Sequence, residues 1–96
     1  MSTQQDDPVI RQFRDQISDN DLKLLDALNK RLKLVSQLRD YKLAHDFDFV
    51  VQDREQWMLT YLDRANRGPI SAEGLREIYD HVLSLTKAEI LRDEEG

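Results

Sequence analysis

Apolar residues in the first half of the chain step by three, four or seven. Ile10, Phe13, Ile17, Leu24, Leu28, Val35 and Leu38 fall on one stripe, the pattern of an α-helix packed along its length. Between Asp6 and His45 there is no glycine, and the one proline, Pro8, suits a first helical turn capped by Asp6 or Asp7. The spacing predicts one long helix over about 7–45, and a run of roughly 35 residues spans about 50 Å. Phe47-Asp48-Phe49-Val50-Val51 interrupts the pattern, and Asp53 offers a cap for a second helix over about 53–66, which Arg67-Gly68-Pro69 ends. Ser71 is the next cap. Ile70 before it and Leu75 four residues after it form a hydrophobic staple, so a third helix is expected over about 71–92, with Asp93-Glu94-Glu95-Gly96 frayed. There is no internal repeat and no low-complexity linker, and the whole of 1–96 reads as one all-α domain.

The helix lengths do not match. Two helices of about 14 and 20 residues cannot easily cover one 50 Å long while also satisfying their own apolar faces. A second copy of the chain resolves the mismatch, and a chain of 96 residues buries only a modest fraction of its surface alone. The alternative is a monomeric three-helix bundle with a frayed first helix.

Composition narrows the function classes. A formal net charge of −5 argues against a nucleic-acid backbone as partner, since such binders carry a basic face. There is no cysteine, which excludes a disulfide scaffold and fits a reducing compartment, and His45 and His81 alone make no metal site. No apolar run approaches the roughly 20 residues that span a bilayer, and Met1 to Pro8 is polar and acidic rather than signal-like, so the expectation is a soluble, cytoplasmic protein off the membrane.

Several charges stand where core residues should be. Arg31 follows Leu28 by three and precedes Val35 by four, and Lys42 follows Val35 by seven, so both lie on the apolar stripe. Eleven residues are close to three turns, which points the two cations the same way about 16 Å apart. Glu55, three before Met58 and seven before Leu62, lies on the inward stripe of the second helix. A lone Arg or Lys at such a position reads first as a side chain that snorkels to water, and together the three read as a buried ionic network or a pocket. The two cations outnumber Glu55, and the surplus suits an anionic ligand. Arg14 lies roughly 25 Å before Arg31 along the axis and about 100° around it, out of reach of one small molecule within a chain but in reach across an antiparallel pair. Otherwise Arg14 is an exposed arginine beside Asp15.

These residues, in order, resemble the all-helical chorismate mutase family: Phe13-Arg14-Asp-Gln-Ile17, Asp21, Leu24-Leu25, Arg31 within Leu28-Asn-Lys-Arg-Leu32, Tyr41-Lys42, Asp53-Arg54-Glu55 and Gly68-Pro69-Ile70-Ser71. The resemblance covers roughly residues 9 to 90. It implies an intertwined homodimer of three-helix chains that converts chorismate to prephenate, in the shikimate pathway toward aromatic amino acids, without metal or cofactor. It implies that Arg14 of one copy joins Arg31 of the other on a substrate carboxylate, that Lys42 donates to the ether oxygen of the breaking bond, and that Glu55 accepts from the ring hydroxyl. Val51 stands where the family often has an aspartate, and its main-chain amide can serve the same hydroxyl. Arg54 is expected to support the pocket through water or Glu55, and Asp21 to pair with a cation across the dimer.

The third helix departs from the family. Where a serine and, four residues later, a glutamine donor are usual, this chain has Thr86 and Ile90. Thr86 keeps a hydroxyl; Ile90 cannot donate a hydrogen bond. Glu89 is the expected substitute, able to donate if burial in an apolar site keeps it protonated, in which case activity falls as pH rises through its titration; Lys87 is the second candidate. Trp57, Tyr61 and Tyr79 read as core or interface aromatics. Within the fold the rival activities are isochorismate pyruvate lyase and aminodeoxychorismate mutase. Outside it, the rival is a weakly active helical module that docks on, or regulates, another shikimate-pathway enzyme.

Overall fold

The computed structural model describes residues 7–48 and 52–95. They form three helices, α1 (Pro8–Ala44), α2 (Gln52–Ala65) and α3 (Ala72–Glu95), with no strand among the described residues. Asp7 starts α1: its Oδ1 accepts from the amides of Val9 at 2.8 Å and Ile10 at 3.2 Å, which satisfies two donors that have no helical partner. α3 runs to Glu95 rather than stopping near 92. Nothing after Arg92 breaks a helix until Gly96, and glutamate is a good helix former, so the acidic end continues the helix.

α1 ends without glycine. Asp46 takes the left-handed conformation (φ 57°), its amide reaches the Leu43 carbonyl at 3.4 Å, and the Phe47 amide reaches the Lys42 carbonyl at 2.8 Å. This is a Schellman ending, in which the left-handed residue turns the chain back to satisfy the last carbonyls; aspartate is one of the few side chains that tolerates the position. The aromatic run therefore interrupts the helix because Phe47 is already folded back onto Lys42. Its ring follows those of Tyr41 and His45, stacked with centroids 4.1 Å apart.

Asn66 organises the turn from α2 to α3. Its Oδ1 accepts from the Gly68 amide at 2.9 Å and its Nδ2 donates to the Ile70 carbonyl at 2.8 Å, while Gly68 takes φ +73°. Ser71 then caps α3, its Oγ accepting from the Gly74 amide at 3.0 Å. Gly74 permits this closeness, since a Cβ there would stand 3.1 Å from that Oγ and 3.5 Å from Ile70 Cγ1.

By internal contacts the chain divides into residues 1–33 and 34–96. The described part of the first unit is the N-terminal stretch of α1, whose apolar residues Val9, Phe13, Ile17 and Leu24 are each more than half exposed. In the second unit α2 packs on α3, with Met58, Leu62, Leu75, Tyr79, Val82 and Leu83 half-buried. Ile90, 5% exposed, is the one buried hydrophobic side chain among the described residues, and two polar side chains, Arg39 and Thr86, are nearly as deep. No helix among the described residues is long and apolar enough to cross a membrane.

The two helix ends make opposite predictions. Ser71→Ala removes a cap and is expected to lower stability by about 1 kcal/mol, whereas Asp46→Gly relieves the left-handed residue and is expected to raise it by about 0.5–1 kcal/mol; urea midpoints measure both.

Candidate functional site

The second unit holds most of the candidate residues. Arg39 and Lys42, three apart near the end of α1, lie on one face of the helix. Lys42 is half-buried, and Arg39 is only 7% exposed. A guanidinium so deep needs partners. Its Nη1 donates to the Ile90 carbonyl of α3 at 3.2 Å, and its Nε and Nη2 donate to Asp40 Oδ1 at 3.2 and 2.9 Å. Asp40 is largely exposed, so the ion pair places the negative charge at the rim and the positive charge inside. Arg39 thus ties the backbone of α3 at position 90 to α1, one turn before Lys42.

Sequence reasoning missed Arg39, although the signal was present. It follows Val35 by four and precedes Lys42 by three, the same spacing that singles out Arg31 and Lys42. The carbonyl it needs belongs to residue 90, fifty-one positions away, and only the fold brings the two together.

Across α2 and α3, Lys87 Nζ lies 3.0 Å from Glu55 Oε1. The carboxylate expected to meet a substrate hydroxyl therefore already has a cation from the third helix at one of its oxygens. Thr86, buried beside Lys87 in sequence, donates its Oγ1 hydrogen to the Val82 carbonyl at 2.6 Å.

Glu89 has surroundings other than those expected, and Arg54 has an aromatic neighbour on its own helix. Glu89 does not lie in an apolar site: it accepts from Arg92 Nη1 at 2.6 Å, and about a third of its side chain is exposed. The cause is register, since Arg92 is one turn further along the same edge of α3. Arg54 lies over the Trp57 ring, 4.1 Å from its centroid, with Tyr61 stacked on Trp57 at 5.2 Å. A guanidinium over an indole is favourable electrostatically and keeps Arg54 outward, on the exposed side of α2. Trp57 and Tyr61 are both more than half exposed, so within one chain they are not core.

Arg14 and Arg31 belong to the first unit. Arg14 is exposed and Arg31 half-buried, and seventeen residues separate them on one helix, roughly 25 Å along its axis. Asp21 is exposed. Val51 lies outside the described residues, as does the side chain of Asp53.

An open cleft of about 300 Å³ lies elsewhere, between α2 and α3, with Gln56, Leu59, Asp63, Glu73, Arg76 and Tyr79 on its walls. No residue expected to bind substrate lines it.

The family described as Chorismate mutase type II matches residues 13–90, most of the chain. The chain belongs to that family. The matched segment contains Arg14, Arg31, Lys42, Glu55, Thr86 and Ile90, and membership brings with it the family's chemistry, an isomerase reaction, and chorismate as the substrate class. The comparisons with curated proteins and with solved structures give no match.

The tie between Arg39 and Ile90 generates a prediction within this chorismate mutase fold. Arg39→Met keeps the aliphatic stem but leaves a buried carbonyl without that donor, and is expected to cost about 1–3 kcal/mol in urea unfolding. Glu89→Ala, which removes an exposed i,i+3 pair, is expected to change stability by less than about 0.5 kcal/mol.

Proposed function

We propose that the chain is a homodimeric chorismate mutase that rearranges chorismate to prephenate. The observation that carries this reading is the family match over 13–90, which holds every charged side chain the reaction calls on. The rearrangement is intramolecular: the ether C–O bond breaks as a C–C bond forms, and no group leaves the molecule. Such a reaction is accelerated by holding a flexible dianion folded with its reacting carbons close. Arg14 and Arg31 hold the carboxylates, and a guanidinium does so with two parallel hydrogen bonds. Lys42 donates to the ether oxygen, where negative charge grows on the way to the transition state, so its contribution falls on the rate rather than on binding. Glu55 accepts from the ring hydroxyl.

Residue 90 has no donor, and Glu89, engaged by Arg92, is oriented as an acceptor. With Lys87 paired to Glu55 as well, the hydrogen-bond donor to the ether oxygen is Lys42. Its backbone is well placed to be rigid, since its carbonyl accepts from both His45 and Phe47 at the end of α1.

The exposed apolar surface supports the dimer. Phe13, at 60% exposure, with Ile17 and Leu24, forms a stripe that no monomeric soluble helix keeps in water without cost. A second copy, antiparallel along α1, covers that stripe and brings its own Arg14 toward the neighbour's Lys42. Docking on another enzyme would cover the same stripe, but would leave the Arg14 position outside the pocket.

Purified protein is expected to form prephenate from chorismate unaided, and Arg31→Ala and Lys42→Ala each to lower kcat/KM by about 10²–10³-fold. Mixing tests the shared site. Arg14→Ala and Arg31→Ala dimers are each expected to be nearly inactive, while an equal mixture that exchanges subunits regains up to about a quarter of wild-type activity, because each hybrid dimer holds one intact site. No regain with proven exchange means that Arg14 and Arg31 serve the same subunit.

A further inference from the structure

Glu55 and Lys87 carry opposite charges on neighbouring helices, 3.0 Å apart. The lysine side chain is 49% exposed and the glutamate 32%, and ion pairs that open to solvent add little to stability. Their effect is on what the carboxylate presents to a ligand. Lys87 engages Oε1, so a ring substituent that met Glu55 would do so at Oε2, where the local net charge is near zero instead of −1.

A hydroxyl and an ammonium respond differently to that arrangement. A neutral hydroxyl donates to Oε2 and meets no penalty from the lysine. A ring ammonium on Oε2 would sit roughly 5–6 Å from Lys87 Nζ, so repulsion from the lysine offsets about half of the attraction of the carboxylate. A lone glutamate would do the reverse and favour the cation. We propose that Lys87 is a specificity-determining residue: its ion pair with Glu55 makes the site select a neutral, hydroxyl-bearing enolpyruvyl ring over an amino-bearing one. The proposal rests on the mutase reading, in which Glu55 meets the ring substituent.

The test compares kcat/KM for chorismate with kcat/KM for aminodeoxychorismate in the full-length protein. Wild type is expected to favour chorismate. Lys87→Gln is expected to lower that ratio by about tenfold, and Lys87→Arg to keep it near the wild-type value. Glu55→Gln leaves the lysine unopposed and is expected to move the ratio the other way, toward chorismate. A merely structural pair would move both ratios together or not at all. An unchanged ratio in Lys87→Gln, or shifts of the same sign in Lys87→Gln and Glu55→Gln, overturns the proposal. If wild type turns over neither compound, the mutase reading fails and this inference with it, which a changed or unchanged ratio cannot imitate.

Discussion

Three helices drawn from 96 residues carry more apolar surface than one copy of the chain covers, and most other features follow from that shortage. Among the described residues only Ile90 is a buried hydrophobic side chain, while Phe13, Ile17, Leu24, Leu38 and Trp57 remain about half exposed or more. The second unit compensates with polar depth. Arg39 and Thr86, nearly as buried as Ile90, are held by carbonyls of α3, and they occupy space that in a larger domain would belong to leucine or valine. A buried guanidinium is seldom the most stable filling of a core. It does fix which residue faces which, because a misplaced helix would leave the charge without its carbonyl.

The same scarcity bears on catalysis. A site that works by posture needs its cations held at fixed separations more than it needs reactive groups. Helices supply that rigidity cheaply: Arg39 and Lys42 are set by one turn of α1, and Glu55 and Lys87 by the packing of α2 on α3. The positive charges that would bind a dianion are local exceptions in an acidic chain, so the number and position of the arginines and lysines matter where the total charge does not.

Much of this was legible in the chain of letters. The three helices, the Asp7 and Ser71 caps and the break at Gly68 follow from periodicity and turn chemistry, which are local. The inward charges Arg31, Lys42 and Glu55 also follow from local spacing. What the letters hide are contacts between distant positions and choices among equivalent neighbours. Arg39 has the right spacing but finds its carbonyl fifty-one residues away; Glu89 looks suited to burial until Arg92, one turn on, claims its carboxylate; Arg54 has an acidic neighbour in sequence yet settles on Trp57. The end of α1 near 45 was legible, but the residue that makes it was not: a left-handed residue usually announces itself as glycine, and here Asp46 takes the position.

The stacking of Arg54 on Trp57 reaches beyond packing. Trp57 is the single tryptophan of the chain, and it stands two residues from Glu55 on α2, beneath a guanidinium and against the Tyr61 ring. Indole emission responds to nearby charge and to exposure, so the molecule contains its own optical reporter of the Arg54–Trp57–Tyr61 stack on α2. Any event that covers or opens that stack can be followed by light in the unlabelled protein.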